Sequence, residues 1–123
     1  MSEELVSLKL KERLQDQFQL AFVPLLESDK RLRGFNQAEI IAQVIAEKLN
    51  LSLFKSLIKV KKTKMQAELE FKQRLENVKG AFRVKGEAPK NLILVDDVIT
   101  TGATLFECAQ ALKEAGAKKI IAL

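Results

Sequence analysis

The chain has 123 residues, 47% of them hydrophobic and 30% charged, with a net charge of +5, which fits one domain with a core large enough to fold without staples. One cysteine and no histidine exclude an internal disulfide, a zinc cluster, a Ser-His-Asp triad and a Cys-His pair, so any metal must be a hard cation held by carboxylate and substrate oxygens. No apolar run reaches membrane-spanning length and no signal peptide opens the chain, so no membrane insertion is expected and the cytoplasm is the expected location.

In chain order, residues 3–18 read as a helix, with Leu10, Leu14 and Phe18 recurring at i, i+4. Gln19 to Val23 is a short apolar run that stops at Pro24, the pattern of a buried strand. Leu25 to Arg33 is expected to be a polar loop ending at Gly34. Asn36 followed by Glu39 has helix-capping spacing. The helix it opens runs to about Asn50, with Ile41, Ile45 and Leu49 on its apolar face and Ala38 and Val44 beside it. Leu53 to Val60 reads as a second strand, residues 61–68 as a polar, Lys-rich stretch, and Phe71 to Val78 as a short helix ended by Gly80. Ala81 to Val84 fits a short extra strand, and Gly86 to Asn91 is turn material.

Leu92 to Val95 is the clearest strand, four apolar residues followed by two carboxylates. Ala103 to Ala115 is a helix with Leu105, Ala109 and Leu112 on its face, and Gly116 stands just past its end. Ile120 to Leu123 begins a last strand. Strands alternating with helices imply βαβ units: an α/β fold, three-layer α/β/α, with a central parallel sheet and ligands at the carboxyl ends of its strands. Neither a GxGxxG nor a P-loop pattern is present, so the standard dinucleotide and P-loop readings lack support.

The chemistry concentrates in Ile93-Leu94-Val95-Asp96-Asp97-Val98-Ile99-Thr100-Thr101-Gly102-Ala103-Thr104. A buried strand ends in paired acids, a turn of hydroxyls and one glycine follows, and a helix starts there. Free N–H groups and the macrodipole at a helix start favour a phosphate, Gly102 permits close backbone approach, and Thr100, Thr101 and Thr104 add donors. Two adjacent anions beside that phosphate need donors or a cation, which a ribose diol and Mg2+ would supply. The plainer alternative makes Asp96 and Asp97 solvated loop residues and Thr101 a simple N-cap. The positive net charge suits a phosphorylated ligand or a nucleic-acid strand, or serves solubility alone. With no Trp or Tyr, base stacking would fall to Phe side chains, most of which look like core.

This twelve-residue arrangement resembles the phosphoribosyl-pyrophosphate motif of type I phosphoribosyltransferases. The resemblance implies a type I phosphoribosyltransferase-like domain over residues 1–123. Asp96 and Asp97 would hold the ribose hydroxyls and the metal, and Thr100, Thr101, Gly102, Ala103 and Thr104 the 5′-phosphate. Arg33-Gly34-Phe35-Asn36-Gln37, then Gln66, Arg74 and Asn77-Val78-Lys79-Gly80-Ala81-Phe82, are similar to the ComF/GntX competence-related group, in the same order over residues 19–123. For single positions there are plainer readings, with Asn36 an N-cap and Phe35 a core contact. Family members commonly carry an N-terminal cysteine-rich zinc module, which this sequence lacks, so a fragment is expected. Their loop after the first strand is usually more basic, whereas here Glu27 and Asp29 intrude.

The resemblance further implies displacement at ribose C1 by a nitrogen nucleophile with pyrophosphate leaving. Lys30, Arg31, Arg33 and Gly34 are the pyrophosphate candidates, with a solvated basic turn as the alternative. Lys61, Lys62, Thr63 and Lys64 lie where these enzymes place a mobile lid, and the plainer reading is a solvated charge run. Cys108 reads as a small buried hydrophobe. The expected partners are phosphoribosyl pyrophosphate and a second copy of the chain as a homodimer. A non-catalytic competence or DNA-uptake factor would instead bind single-stranded DNA.

Overall fold

In a computed structural model of the chain, the structure describes residues 17–63, 70–96 and 102–123. In chain order these form β1 (Gln19–Phe22), α1 (Glu27–Arg33), α2 (Gln37–Leu49), β2 (Leu57–Lys59), α3 (Phe71–Val78), β3 (Phe82–Val84), β4 (Asn91–Val95), α4 (Gly102–Glu114) and β5 (Lys119–Ala122). The helix expected over 3–18 lies almost wholly outside the described residues.

The central sheet is parallel, in the order β1-β4-β5. Leu53 adds a parallel bridge on the outer side of β1. The strand alternation sorts side chains to two faces, as a period of two requires. Leu92 and Leu94 of β4 join Ala21 and Val23 against α4, while Ile93 and Val95 join Leu20 and Phe22 against α2. Helices on both faces of a parallel sheet are the expected three-layer α/β/α arrangement.

Two sequence expectations change. Leu53 to Val60 is not one strand of the parallel sheet. The chain bridges β1 at Leu53, then leaves it, and β2 pairs antiparallel with β3 in a separate two-stranded sheet. Leu57 and Phe82 of that small sheet pack into the core on the α4 side. Leu25 to Arg33 is not all loop, because Glu27–Arg33 is helical. No residue of α1 is buried, so it lacks the apolar periodicity by which a helix is recognised. Its support is electrostatic: Glu27 and Asp29 lie in its first turn and Lys30, Arg31 and Arg33 in its last, each sign at the dipole end that favours it. Gly34 closes it at φ 84°, its N–H donating to the Lys30 carbonyl oxygen, a left-handed cap that glycine adopts without steric cost.

The helix faces are also rotated from expectation. On α2, Ala38, Ala42 and Ala46 form the fully buried stripe, while Ile41, Ile45 and Leu49 pack at its margin and Val44 is exposed. Small residues let the helix lie close on the sheet. On α4 the buried positions are Ala103, Thr104, Cys108, Ala111 and Leu112, with Leu105 at the edge. Cys108 is fully buried, as expected of a small hydrophobe.

Asn36 joins the layers. Its side-chain oxygen accepts from the Ala38 N–H (3.1 Å) and caps α2, and its Nδ2 donates to the Val23 carbonyl oxygen (3.1 Å) at the end of β1. The residue is buried, so both groups depend on these partners. Glu39, at the second capping position, turns instead to Lys30. Asn36→Ala removes a cap and strands a buried carbonyl. It is expected to lower unfolding stability by about 1–3 kcal/mol, measured by urea denaturation. A loss below the error of that measurement would show that Asn36 does not tie α2 to the sheet.

Candidate functional site

Parallel register brings the carboxyl ends of β1 and β4 side by side. Phe22 pairs with Val95, and the Val23 N–H donates to the Val95 carbonyl oxygen at 2.9 Å. Asp96 is the next residue, and its N–H donates to the Leu123 carbonyl oxygen at 3.4 Å. It therefore leaves the sheet between β1 and β5, partly exposed at the rim. Gly102 opens α4 and is exposed; among the described residues, nothing apart from its chain neighbours and the backbone of its own helix comes within 4 Å of where a Cβ would stand. Ala103 and Thr104 are buried under the helix start, so the backbone there is anchored by core packing. Asp97, Thr100 and Thr101 lie outside the described residues.

On the β1 side, the chain from Val23 leads into α1, whose last turn carries Lys30, Arg31 and Arg33, followed by Gly34. The acids that seemed to intrude in this segment, Glu27 and Asp29, sit at the opposite end of the helix. Lys30 Nζ pairs with Glu39 Oε1 at 2.9 Å. That hydrogen bond and charge raise the Lys30 pKa above its ordinary value. Arg31 and Arg33 are exposed. Phe35 is 50% exposed, so it is a surface residue rather than the core contact of the plainer reading.

Lys59 stands apart from the lysines around it by its partial burial. It belongs to β2 opposite Phe82, with its Nζ donating to Thr63 Oγ1 at 2.7 Å and lying 5.9 Å from the centroid of the Phe82 ring. Partial burial lowers its pKa, with the Asp29 charge acting in the opposite direction and the Arg33 charge in the same one. The signal was present in the sequence: strand alternation puts Lys59 on the same side as Leu57, the inward side. Burial pushes the Cys108 thiol well up, with the Asp96 charge adding to it, so Cys108 is an inert thiol.

Of the residues expected where the family places a lid, Lys61 donates to the Lys79 carbonyl oxygen at 3.3 Å, and Lys64 lies outside the described residues, as does Gln66. Val78, Ala81 and Phe82 are buried, so the Asn77 to Phe82 motif is where α3 turns into β3 and enters the core. Elsewhere, an open groove of about 500 Å³ lies between β3 and the far end of α4, lined by Phe82, Arg83, Ala111 and Glu114 among others. It contains none of the residues singled out at the carboxyl edge. Among the described residues no three acidic or cysteine side chains gather as a ready metal cage, and no helix is long and apolar enough to cross a membrane.

The phosphoribosyl transferase domain family matches residues 33–123. The chain is 39% identical over 103 residues to Competence protein F of Haemophilus influenzae, covering 80% of this chain and 45% of that protein. It is 34% identical over 102 residues to the DNA utilization protein YhgH of Escherichia coli K12, covering 80% of this chain and 44% of that protein. With Competence protein ComFC of Streptococcus pneumoniae it shares 29% identity over 121 residues, covering 98% of this chain and 50% of that protein. The chain thus spans about half the length of the curated relatives it matches. No solved structure matches it. A central parallel sheet with helices on both faces, the acid at the end of β4 and these matches agree: the chain belongs to the phosphoribosyl transferase domain family, within its ComF competence-related group.

Proposed function

We propose that this domain binds 5-phosphoribosyl-1-pyrophosphate at the carboxyl edge of its parallel sheet. Asp96 and Asp97 take the ribose hydroxyls, the turn from Thr100 to Thr104 takes the 5′-phosphate, and the last turn of α1 with Gly34 faces the pyrophosphate. The observation that carries this reading is the position of Asp96. It is the first residue beyond a strand buried on both faces, and α4 begins six residues later at Gly102, so a carboxylate and a helix start share one rim.

The donors at this rim are hard carboxylate oxygens without imidazole or exposed thiol, which fits magnesium. Asp96 and Asp97 would hold it jointly with ligand oxygens, and it would neutralise charge between ribose and pyrophosphate. The reaction served is transfer of the phosphoribosyl group: a nitrogen nucleophile bonds to C1 as the C1–oxygen bond to pyrophosphate breaks. The chain's share is positioning and stabilising the leaving anion. Of the α1 cations, Arg31 and Arg33 suit bidentate oxygen contacts, while Lys30 enters with Glu39 already against it.

A second reading is a non-catalytic competence or DNA-uptake module that binds single-stranded DNA. The relatives are named for competence and DNA utilization. Ten of the 21 Lys and Arg residues fall between Lys55 and Lys85, against three acidic residues, so the positive charge is concentrated in the stretch of sequence that runs from β2 to β3. A polyanionic strand would be drawn there.

Titration with 5-phosphoribosyl-1-pyrophosphate should give magnesium-dependent binding, weakened at least about tenfold by Asp97→Ala, the scale of one lost charge-assisted hydrogen bond. Unchanged affinity in that variant would remove the assigned ribose contact. Pyrophosphate release with a purine, a pyrimidine or ammonia as acceptor identifies a transferase, and its absence with every acceptor favours the binding module. For the second reading, single-strand affinity should fall steeply with added salt; salt-independent binding, or none, rules out phosphate-driven association.

A further inference from the structure

Strand β3 has a free edge. Its ladder to β2 is set by the Val60 N–H donating to the Ala81 carbonyl oxygen (2.8 Å) and the Lys85 N–H donating to the Ser56 carbonyl oxygen (2.9 Å), with Ile58 opposite Arg83 between them. Antiparallel bonding alternates along a strand, so the residues in between, Phe82 and Val84, turn their N–H and C=O groups away from β2. Among the described residues no hydrogen bond reaches those groups. Gly80 and Gly86, at φ 72° and 84°, bracket the strand and turn the chain off at either end.

The open groove of about 500 Å³ beside α4 runs along this edge. Phe82, Arg83 and Val84 all line it, although Phe82 and Val84 pack towards the core and Arg83 faces outward. Three consecutive strand residues with alternating side chains share one groove only along the strand's edge. The facing wall is Ala111 of α4 and Ala115 just past its end, small side chains that leave room for another chain. A row of outward N–H and C=O groups beside an open slot is a template for one more strand.

Charge selects what that strand is. Lys79, Arg83, Lys85 and Lys113 stand around the groove against Glu87 and Glu114, all exposed, and no ion pair among the described residues ties any of them. A second copy of the chain is a poor match. With Phe82 of one copy opposite Val84 of the other, Arg83 meets Arg83, and a shift of one step brings Lys85 opposite Lys79 or Arg83; like charges directly opposite destabilise a sheet. A nucleic-acid strand would meet the cations but has no alternating donors and acceptors at the spacing of a peptide backbone.

We propose that this edge is a docking site for an extended acidic segment of a partner protein, which adds a strand to β3. Alternate side chains of that segment are apolar, against Ala111 and Ala115, and carboxylate, beside Arg83. The inference stands independently of the ligand at the carboxyl edge of the parallel sheet.

Hydrogen exchange at single amides tests it with two capped heptapeptides, one alternating Val and Glu and one alternating Val and Lys. The Val-Glu peptide is expected to slow exchange of the Phe82 and Val84 amides at least about tenfold, while the Arg83 amide, already bonded to β2, changes less than about twofold. It is also expected to bind at least about tenfold more tightly than the Val-Lys peptide, and Arg83→Glu, at an exposed position, to abolish that preference. An oligo-dT strand is expected to leave both amides unprotected. The proposal is overturned if the Val-Glu peptide does not bind or binds without protecting Phe82 and Val84. It is equally overturned if the two peptides bind alike, if Arg83→Glu keeps the preference, or if the oligonucleotide protects the same amides. Should Arg83→Glu fail to fold by circular dichroism, Arg83→Gln carries the same comparison.

Discussion

Strand β4 is enclosed on every side, and this constrains where polar chemistry can sit. Its backbone is bonded to β1 on one edge and β5 on the other. Its side chains alternate into two separate cores, Leu92 and Leu94 beneath α4 and Ile93 and Val95 beneath α2. A strand so paired and buried offers water only its ends. The first side chain past the carboxyl end is Asp96, and α4 must start nearby to return the chain to β5. The carboxylate and the helix start are brought to one rim by the same packing that builds the core.

The opposite wall of that rim depends on charge rather than on burial. Helix α1 buries nothing, so its seven residues hold together through the order of their charges and through Gly34. Acids occupy the end where N–H groups are unpaired, and bases the end where carbonyls are. That order gathers the basic side chains near the carboxyl end of β1, where Asn36 fastens the next helix to Val23. Lys30 is drawn aside to Glu39, while Arg31 and Arg33 stay exposed.

What could be read from the sequence follows from which forces leave a pattern in it. The run from Leu92 to Val95, its trailing acids and the helix after Gly102 are legible because burial on two faces demands consecutive apolar residues, and the α/β/α layering follows from them. Asn36 is legible as a cap, but its second bond to Val23 is not, because a tertiary contact leaves no local spacing. Helix α1 was hidden because dipole compensation produces no apolar period. The departure of β2 from the parallel sheet was hidden because a short apolar strand looks the same in either sheet. For Asp97, Thr100 and Thr101 the assignment rests on sequence resemblance, since they lie outside the described residues.

The central claim is that one ligand bridges the end of β4 and the last turn of α1. Following backbone amide chemical shifts while 5-phosphoribosyl-1-pyrophosphate and magnesium are added tests it most directly. The account predicts that Asp96, Gly102 to Thr104, Arg33 and Gly34 shift together along one saturation curve. Shifts confined to the groove between β3 and the far end of α4, around Arg83 and Glu114, with the carboxyl edge unmoved, would contradict it.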